Sequence, residues 1–322
     1  MRFGELVAAS GLDLVAEPLD VAVVLAALQE LHGLSGRLER LASEKDETFV
    51  LHSADARYLV KVSGEAREDL ALQTAVLRHL AGSGLPVPVV KSGVDGGLMH
   101  DIAGGRLLRV LSYLPGEPLA KRAGDLESFG SAHGQLIRAL ADFRGGERTL
   151  LWDLRHLGAL APDDPLAQEI LAECASRVRP DELETQLVHN DLSPHNLLVD
   201  SRGELTGILD FGDVLRTAVV FDLAIALSNV LDADAPDPWA DPLAWLRGYL
   251  RIRPVAEEEL RLLPLLATAR LVQRALIAAW RAERDPARAA YVLSHAARDW
   301  TTAQAVYADL DTVAERMLEV RR

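Results

Sequence analysis

Cysteine occurs once in the 322 residues, at position 174. An intrachain disulfide and a cysteine-built zinc site are therefore excluded, and a reducing cytoplasm suits the chain. Cys174 lies in an apolar-periodic stretch and reads as a small core filler. Positive charge is also short: 34 Lys and Arg stand against 48 Asp and Glu, a net charge of −14. General nucleic-acid binding needs cations clustered against phosphate, so no nucleic-acid partner is expected. The acidic excess serves solubility and is compatible with a cationic small substrate. No run of roughly 18 uncharged apolar residues occurs, so no membrane partner is expected. Residues 217–231 come nearest, and Asp222 interrupts them. Near the start, Glu5 and Asp13 spoil the apolar centre of a secretory signal. Lysine is the scarcest basic residue, found only at positions 45, 61, 91 and 121.

What is present is ordinary globular material, 49% hydrophobic and 25% charged. That balance excludes disordered, collagen-like and low-complexity classes. The length fits two domains or one large two-lobed one. Apolar spacing predicts a helix over 19–35, then strands over 36–42, 48–52 and 58–62. A helix over about 64–81 is stopped by Gly82-Ser83-Gly84, and Pro86 and Pro88 prevent its resumption. Further strands are expected at 89–90, 97–102 and 106–114. Beyond Leu114-Pro115-Gly116 helices dominate, at 125–143 with Asp125 as N-cap and at 165–179. A short β-like island follows (187–188, 197–199, 205–209), and the chain is helical again after Phe221. The expected fold is α+β: a β-rich N-terminal lobe over 1–111, a hinge at 112–116 and a helical C-terminal lobe over 117–322.

The chemistry concentrates in the β-like island. Residues 188–200 read VHNDLSPHNLLVD and residues 208–213 read ILDFGD. Phosphoryl transfer needs one carboxylate to meet the attacking hydroxyl. It also needs a second carboxylate and an amide oxygen to hold Mg²⁺ against nucleotide phosphates. Asp191 fits the first role, Asn196 and Asp210 the second, and His189 fits a packing brace. Either motif alone arises by chance, the plain alternative being two Asp-capped turns. The two in order, each beside an apolar strand run, make a strong signal. Lys61 stands at the centre of YLVKV. There it is either an edge-strand gatekeeper or a point charge for the α- and β-phosphates of a nucleotide.

These residues resemble the aminoglycoside phosphotransferase/choline kinase superfamily, small-molecule kinases with the protein-kinase-like fold. Residues 41–49 (LASEKDETF), Trp152-Asp153-Leu154 and 208–224 are similar to motifs of its hydroxylysine kinase branch. The resemblance implies Mg²⁺ with ATP or GTP as phosphoryl donor. It implies adenine reading by backbone of the hinge, here Ser112 and Leu114, with Tyr113 either beside it or in the core. Gln73 falls where the family places the acidic partner of the lysine, with Glu68 and Asp69 one turn away as alternatives. Departures are plain: no glycine lies between Arg40 and Phe49, Thr48 replaces an Asn and Ala42 a Pro. Ser43 remains a candidate phosphate contact, although the acidic residues around it suit an exposed hairpin as well.

Acceptors in this superfamily are often aminated, which implies carboxylates or aromatic faces in the acceptor site. Asp213 is a candidate, as is Asp222, whose simpler reading is a helix cap. Arg216 is a candidate for a substrate carboxylate or for an ion pair with Asp213. His195 is a candidate phosphate or substrate contact, or a loop brace. Trp239, Trp245 and Trp280 suit a cage or a core. Three readings compete: a kinase for a small hydroxylated amine, an antibiotic kinase, and a nucleotide-binding pseudokinase. A protein kinase is disfavoured, because no A-P-E follows Asp210-Phe211-Gly212.

Overall fold

The computed structural model describes residues 2–10, 18–41, 43, 46–121, 124–284 and 289–321. The chain is α+β, with a β-sheet N-terminal region and a helical C-terminal region. In order the elements are α1 (Phe3–Ala9), α2 (Val21–His32), β1 (Arg37–Leu41), β2 (Glu47–His52), β3 (Arg57–Ser63), α3 (Arg67–Leu80), β4 (Val90–Lys91), β5 (His100–Ile102), β6 (Arg106–Ser112) and β7 (Glu117–Pro118). Then follow α4 (Leu126–Ala139), α5 (Pro165–Arg177), β8 (Thr185–Val188), β9 (Leu197–Val199), β10 (Leu205–Ile208), β11 (Leu215–Ala218), α6 (Val219–Ser228), α7 (Ala240–Ile252), α8 (Glu257–Arg284), α9 (Ala289–Val306) and α10 (Leu310–Val320).

Two compact units are present, and they are not consecutive stretches. One holds residues 11–117 and 198–212, the other 1–10, 118–197 and 213–322. The sequence division at 111–117 misses two exchanges. The first ten residues belong with the helices, and 198–212 with the sheets. The cause of the second is pairing: β9 and β10 form a three-stranded sheet with β7 in the order β10-β9-β7.

In the sheet unit the strands run β1-β2-β3-β6-β4, and β5 also pairs with β6. Every described pairing of this sheet is antiparallel. Asp20 caps α2 by accepting from the Ala22 N–H, and Gly33 ends it at φ 62°, a left-handed value that glycine adopts freely. Val24 and Leu28 of α2 share a core with Phe49, Leu51, Val60, Val62, Leu108 and Val110. Strand side chains alternate, so Lys61 and Arg109, which face each other across β3 and β6, point away from that core.

In the helical unit, α4 and α7 pack with their backbones close. A Cβ on Gly130 would stand 1.9 Å from the Trp245 carbonyl oxygen, and one on Gly248 would stand 1.8 Å from that of Glu127. Only glycine permits this approach. Asp125 caps α4 through the Glu127 N–H, as its sequence position predicts. Helix α8 is the one described helix long and apolar enough to cross a membrane by length and composition, and 72% of its apolar window is buried inside the protein. Sequence hydropathy pointed instead to 217–231. There β11 pairs with β8 before α6 begins at Val219, two residues ahead of the expected start.

Candidate active site

Within the helical unit, β8 ends at Val188 and delivers the segment 189–196. Asn190 sits at φ 64°, a conformation that Asn tolerates better than other side-chain-bearing residues. Its N–H donates to Asp222 Oδ1 at 2.5 Å. Asp222 is fully buried, and its Oδ2 lies 2.7 Å from His133 Nε2. Trp245 Nε1–H donates to His133 Nδ1 at 3.2 Å, so the ring proton stands on Nε2, aimed at the carboxylate. Asp222 is therefore neither a helix cap nor a substrate ligand. It is the brace that fixes the backbone one residue before Asp191.

Asp191 is half-buried. Its N–H donates to Nδ1 of the buried His189 at 3.3 Å. Asn196 Nδ2 donates to Asp191 O at 2.8 Å and to Asp191 Oδ2 at 2.9 Å. With its amide nitrogen so engaged, Asn196 keeps Oδ1 as its remaining polar atom, a hard oxygen donor. His195 is exposed, and Asp213, the last residue of the turn Phe211–Asp213, is half-buried. Arg216 does not pair with Asp213. Its Nη2 donates to Phe143 O at 2.8 Å and its Nε to Gly145 O at 3.2 Å, while Glu147 supplies the carboxylate at 3.2 Å. These contacts commit Arg216 to the 143–147 loop and leave it poorly suited to a substrate.

The tryptophans divide similarly. Trp239 and Trp245 are buried core residues, and Trp280 meets Phe3 edge-to-face at 5.6 Å. The Tyr113 ring lies under the Arg57 guanidinium at 4.1 Å.

Within the sheet unit, Lys61 Nζ lies 3.4 Å from Asp46 Oδ2. Gln73 is not its partner, and Glu68 is exposed. Gln73 Oε1 instead accepts from Arg109 Nη2 at 2.8 Å, and Gln73 Nε2 donates to Glu65 at 3.0 Å. Arg109 is 2% exposed. Burial holds its guanidinium below the usual arginine range, against the pull of Asp46, Glu65 and Asp210. One cation and one amide thus take the place of the acid expected at position 73. Sequence reasoning missed Arg109, although an arginine centred in RLLRVLS is as conspicuous as Lys61 in YLVKV.

Asp210 stands at φ 58° and is exposed. Its Oδ1 accepts from the Gly212 N–H at 3.3 Å, which orients the carboxylate. Asp210 carries hard oxygen donors of the kind Mg²⁺ takes alongside phosphate oxygens, and Asn196 of the helical unit carries another. Ser43 is exposed; Ala42, Glu44 and Lys45 of the same loop lie outside the described residues. The Ser112 N–H is spent on Val89 O at 2.8 Å, and Ser112 Oγ accepts from the Val89 N–H at 2.9 Å. Ser112 thus clamps the end of β6, which leaves Leu114 as the hinge candidate whose backbone carries neither of these bonds.

Comparison with known proteins places the chain among kinases. Homoserine kinase of Chelativorans sp. (strain BNC1) is 29% identical over 242 residues, covering 69% of this chain and 73% of that protein. Hydroxylysine kinase of Mus musculus is 26% identical over 321 residues, 84% of each. Among solved structures, amicoumacin kinase hAmiN in complex with AMP-PNP, Ca2+ and Ami superposes with a TM-score of 0.69 at 19% identity, over 88% of this chain and 95% of that one. The fold is thus that of solved aminoglycoside phosphotransferases and similar kinases; the two relatives are named as kinases, and the amicoumacin kinase structure holds AMP-PNP and Ca2+. Residues 37–263 match the family model described as "Phosphotransferase enzyme family", so the chain belongs to that family and is a kinase.

Proposed function

We propose that the protein transfers the γ-phosphoryl group of ATP or GTP to the hydroxyl of a small aminated acceptor. The closest chemical class is the hydroxylated amino acid or amino alcohol. Asp191 orients the acceptor hydroxyl and takes its proton. Asn196 and Asp210 hold Mg²⁺, which neutralises charge developing on the phosphates when bound. Lys61 contacts the phosphates, Leu114 reads the base through its backbone, and Asp213 receives the acceptor ammonium. His195, Ser43, Gln73, Ser112 and Arg216 are weaker members of the set. In this reading Gln73, Ser112 and Arg216 support the site from behind. A cytoplasmic place of action suits the single buried thiol.

The observation that supports this most is the double hold on Asp191. Its backbone follows the Asn190–Asp222 clamp, and its carboxylate accepts from Asn196 at 2.9 Å. Positioning of this kind is what phosphoryl transfer requires of a protein.

The test is Mg²⁺-dependent ADP release across 5-hydroxylysine, L-homoserine, ethanolamine, choline, kanamycin and a macrolide, repeated with Asp191→Asn. Turnover of a small amino alcohol or amino acid, lost by orders of magnitude in the variant with nucleotide affinity intact, is the expected result. Turnover of an antibiotic alone moves the protein to the resistance kinases. Nucleotide binding without any turnover makes it a pseudokinase.

A further inference from the structure

Helix α8 carries two arginines one turn apart, and they are treated differently. Arg274 is neutralised by Asp299, with Nη2 to Oδ1 at 2.5 Å and Nε to Oδ2 at 2.9 Å. Its Nη1 also donates to Asn229 Oδ1. Asn229 Nδ2 in turn donates to Leu192 O at 3.3 Å. This face of α8 is thereby fastened to the segment one residue past Asp191.

Arg270 is only 3% exposed. Both its hydrogen bonds leave from Nη1, to Trp152 O at 2.7 Å and to Gln273 Oε1 at 2.8 Å. The Trp152 ring lies against its guanidinium at 5.4 Å. Gln273 is anchored by Leu151 O at 3.0 Å, so the arrangement is rigid. Nε is buried without a hydrogen-bond partner. The Nε–Nη2 edge, the edge a carboxylate grips bidentately, is therefore the uncommitted one. No carboxylate closes an ion pair on Arg270 among the described residues, although Asp191, Asp213 and Asp299 act on it from further off and Arg274 opposes them. A buried guanidinium with no ion-pair partner is costly to keep. A ligand anion would relieve that cost.

We infer that Arg270 receives the carboxylate of the acceptor, and that the acceptor is a hydroxylated amino acid rather than a simple amino alcohol. The inference rests on Asp191 as the base, since it places the carboxylate within the same site. It moves to Arg270 the role that sequence reading offered to Arg216. The acceptor hydroxyl loses its proton to Asp191 and its oxygen forms the new bond to phosphorus, while the carboxylate at Arg270 takes no covalent part.

Paired acceptors differing by one carboxylate test this. L-Homoserine is compared with 3-amino-1-propanol, and 5-hydroxylysine with 1,5-diaminopentan-2-ol, by ADP release and by titration in the presence of Mg·AMP-PNP. The carboxylated member of at least one pair should bind at least ~10-fold tighter to the wild-type protein. Arg270→Gln should raise its KM by roughly 10- to 100-fold, the range set by a charged hydrogen-bonded pair. The decarboxylated member should change by less than about threefold, a difference that a merely structural arginine would not produce. Arg270→Lys, which keeps the charge and loses the fork, should fall between. Equal binding of both members to the wild-type protein overturns the inference, and so does failure of every carboxylated member to bind. Equal losses on both members in Arg270→Gln reduce it to a structural tie. Each of these is separate from failure of the base assignment, which shows as turnover surviving Asp191→Asn.

Discussion

Arg109 on β6 donates from Nη2 to Gln73 Oε1 on α3 at 2.8 Å, directly across the strand pair from Lys61. The amide at position 73 suits this better than an acid, because it also donates onward to Glu65 at 3.0 Å. Gln73→Ala should leave the buried guanidinium short of an acceptor and cost about 1–3 kcal/mol in urea unfolding. Lys61→Met, which leaves this chain of bonds whole, should change unfolding by less than ~1 kcal/mol and raise KM for the nucleotide. Equal unfolding losses in the two variants would mean that the two cations are not divided in this way.

Asp222 satisfies two buried donors, the Asn190 N–H and His133 Nε2. Asp222→Ala strands both, and the expected loss is about 3–5 kcal/mol together with most of the turnover. Asp222→Asn keeps one acceptor and should retain more stability than turnover. Calorimetry and initial rates on both variants decide it, and undiminished turnover in Asp222→Ala would remove the brace.

Position 190 offers a backbone test. At φ 64° glycine should replace asparagine within roughly 1 kcal/mol, whereas Asn190→Val should cost more than about 1–2 kcal/mol. Turnover should follow the same order, because this residue sets the approach of Asp191. The reverse order of midpoints would show that the left-handed conformation does not persist in solution.

The α4–α7 contact admits no added atom at Gly130. Gly130→Ala should push the helices apart, cost about 1–3 kcal/mol and loosen the Trp245–His133 bond. A shift in the urea midpoint accompanied by a change in tryptophan emission is expected. An unchanged midpoint would mean that the helices slide without loss.

Burial pushes the Cys174 thiol from 9.0 up to about 12. The folded protein keeps the proton longer than the unfolded chain does. The stabilising contribution is therefore complete below pH 9 and declines as pH rises toward 12, by at most ~1.4 kcal/mol per unit. The stability difference between wild type and Cys174→Ala should shift in that direction from pH 8.5 to 10.5. A flat difference would show the thiol to be solvated.

Much of the fold was legible because strand and helix periods were clean. TFVLH and YLVKV are short apolar, β-branched runs, and Asp125 and Pro165 mark helix starts. Asp191, Asn196 and Asp210 were legible as a spaced set. Arg109 was not, because one polar residue in an apolar strand says nothing of which strand faces it. That depends on the register Lys61↔Arg109. Asp222 was misread because β11 hides in LRTA and shifts the helix start to Val219. Arg270 lay unseen within the apolar middle of α8, where hydropathy averages its charge away.

The interleaving of the two units has a consequence for how the chain can be made. The sheet unit includes residues 198–212 and the helical unit begins with residues 1–10. A fragment cut at the hinge would lack β9 and β10, and the remaining piece would lack α1, so neither half is a self-sufficient expression product. During synthesis, too, the sheet unit stays open until residue 212 has left the ribosome. By then Asp191 has emerged as well.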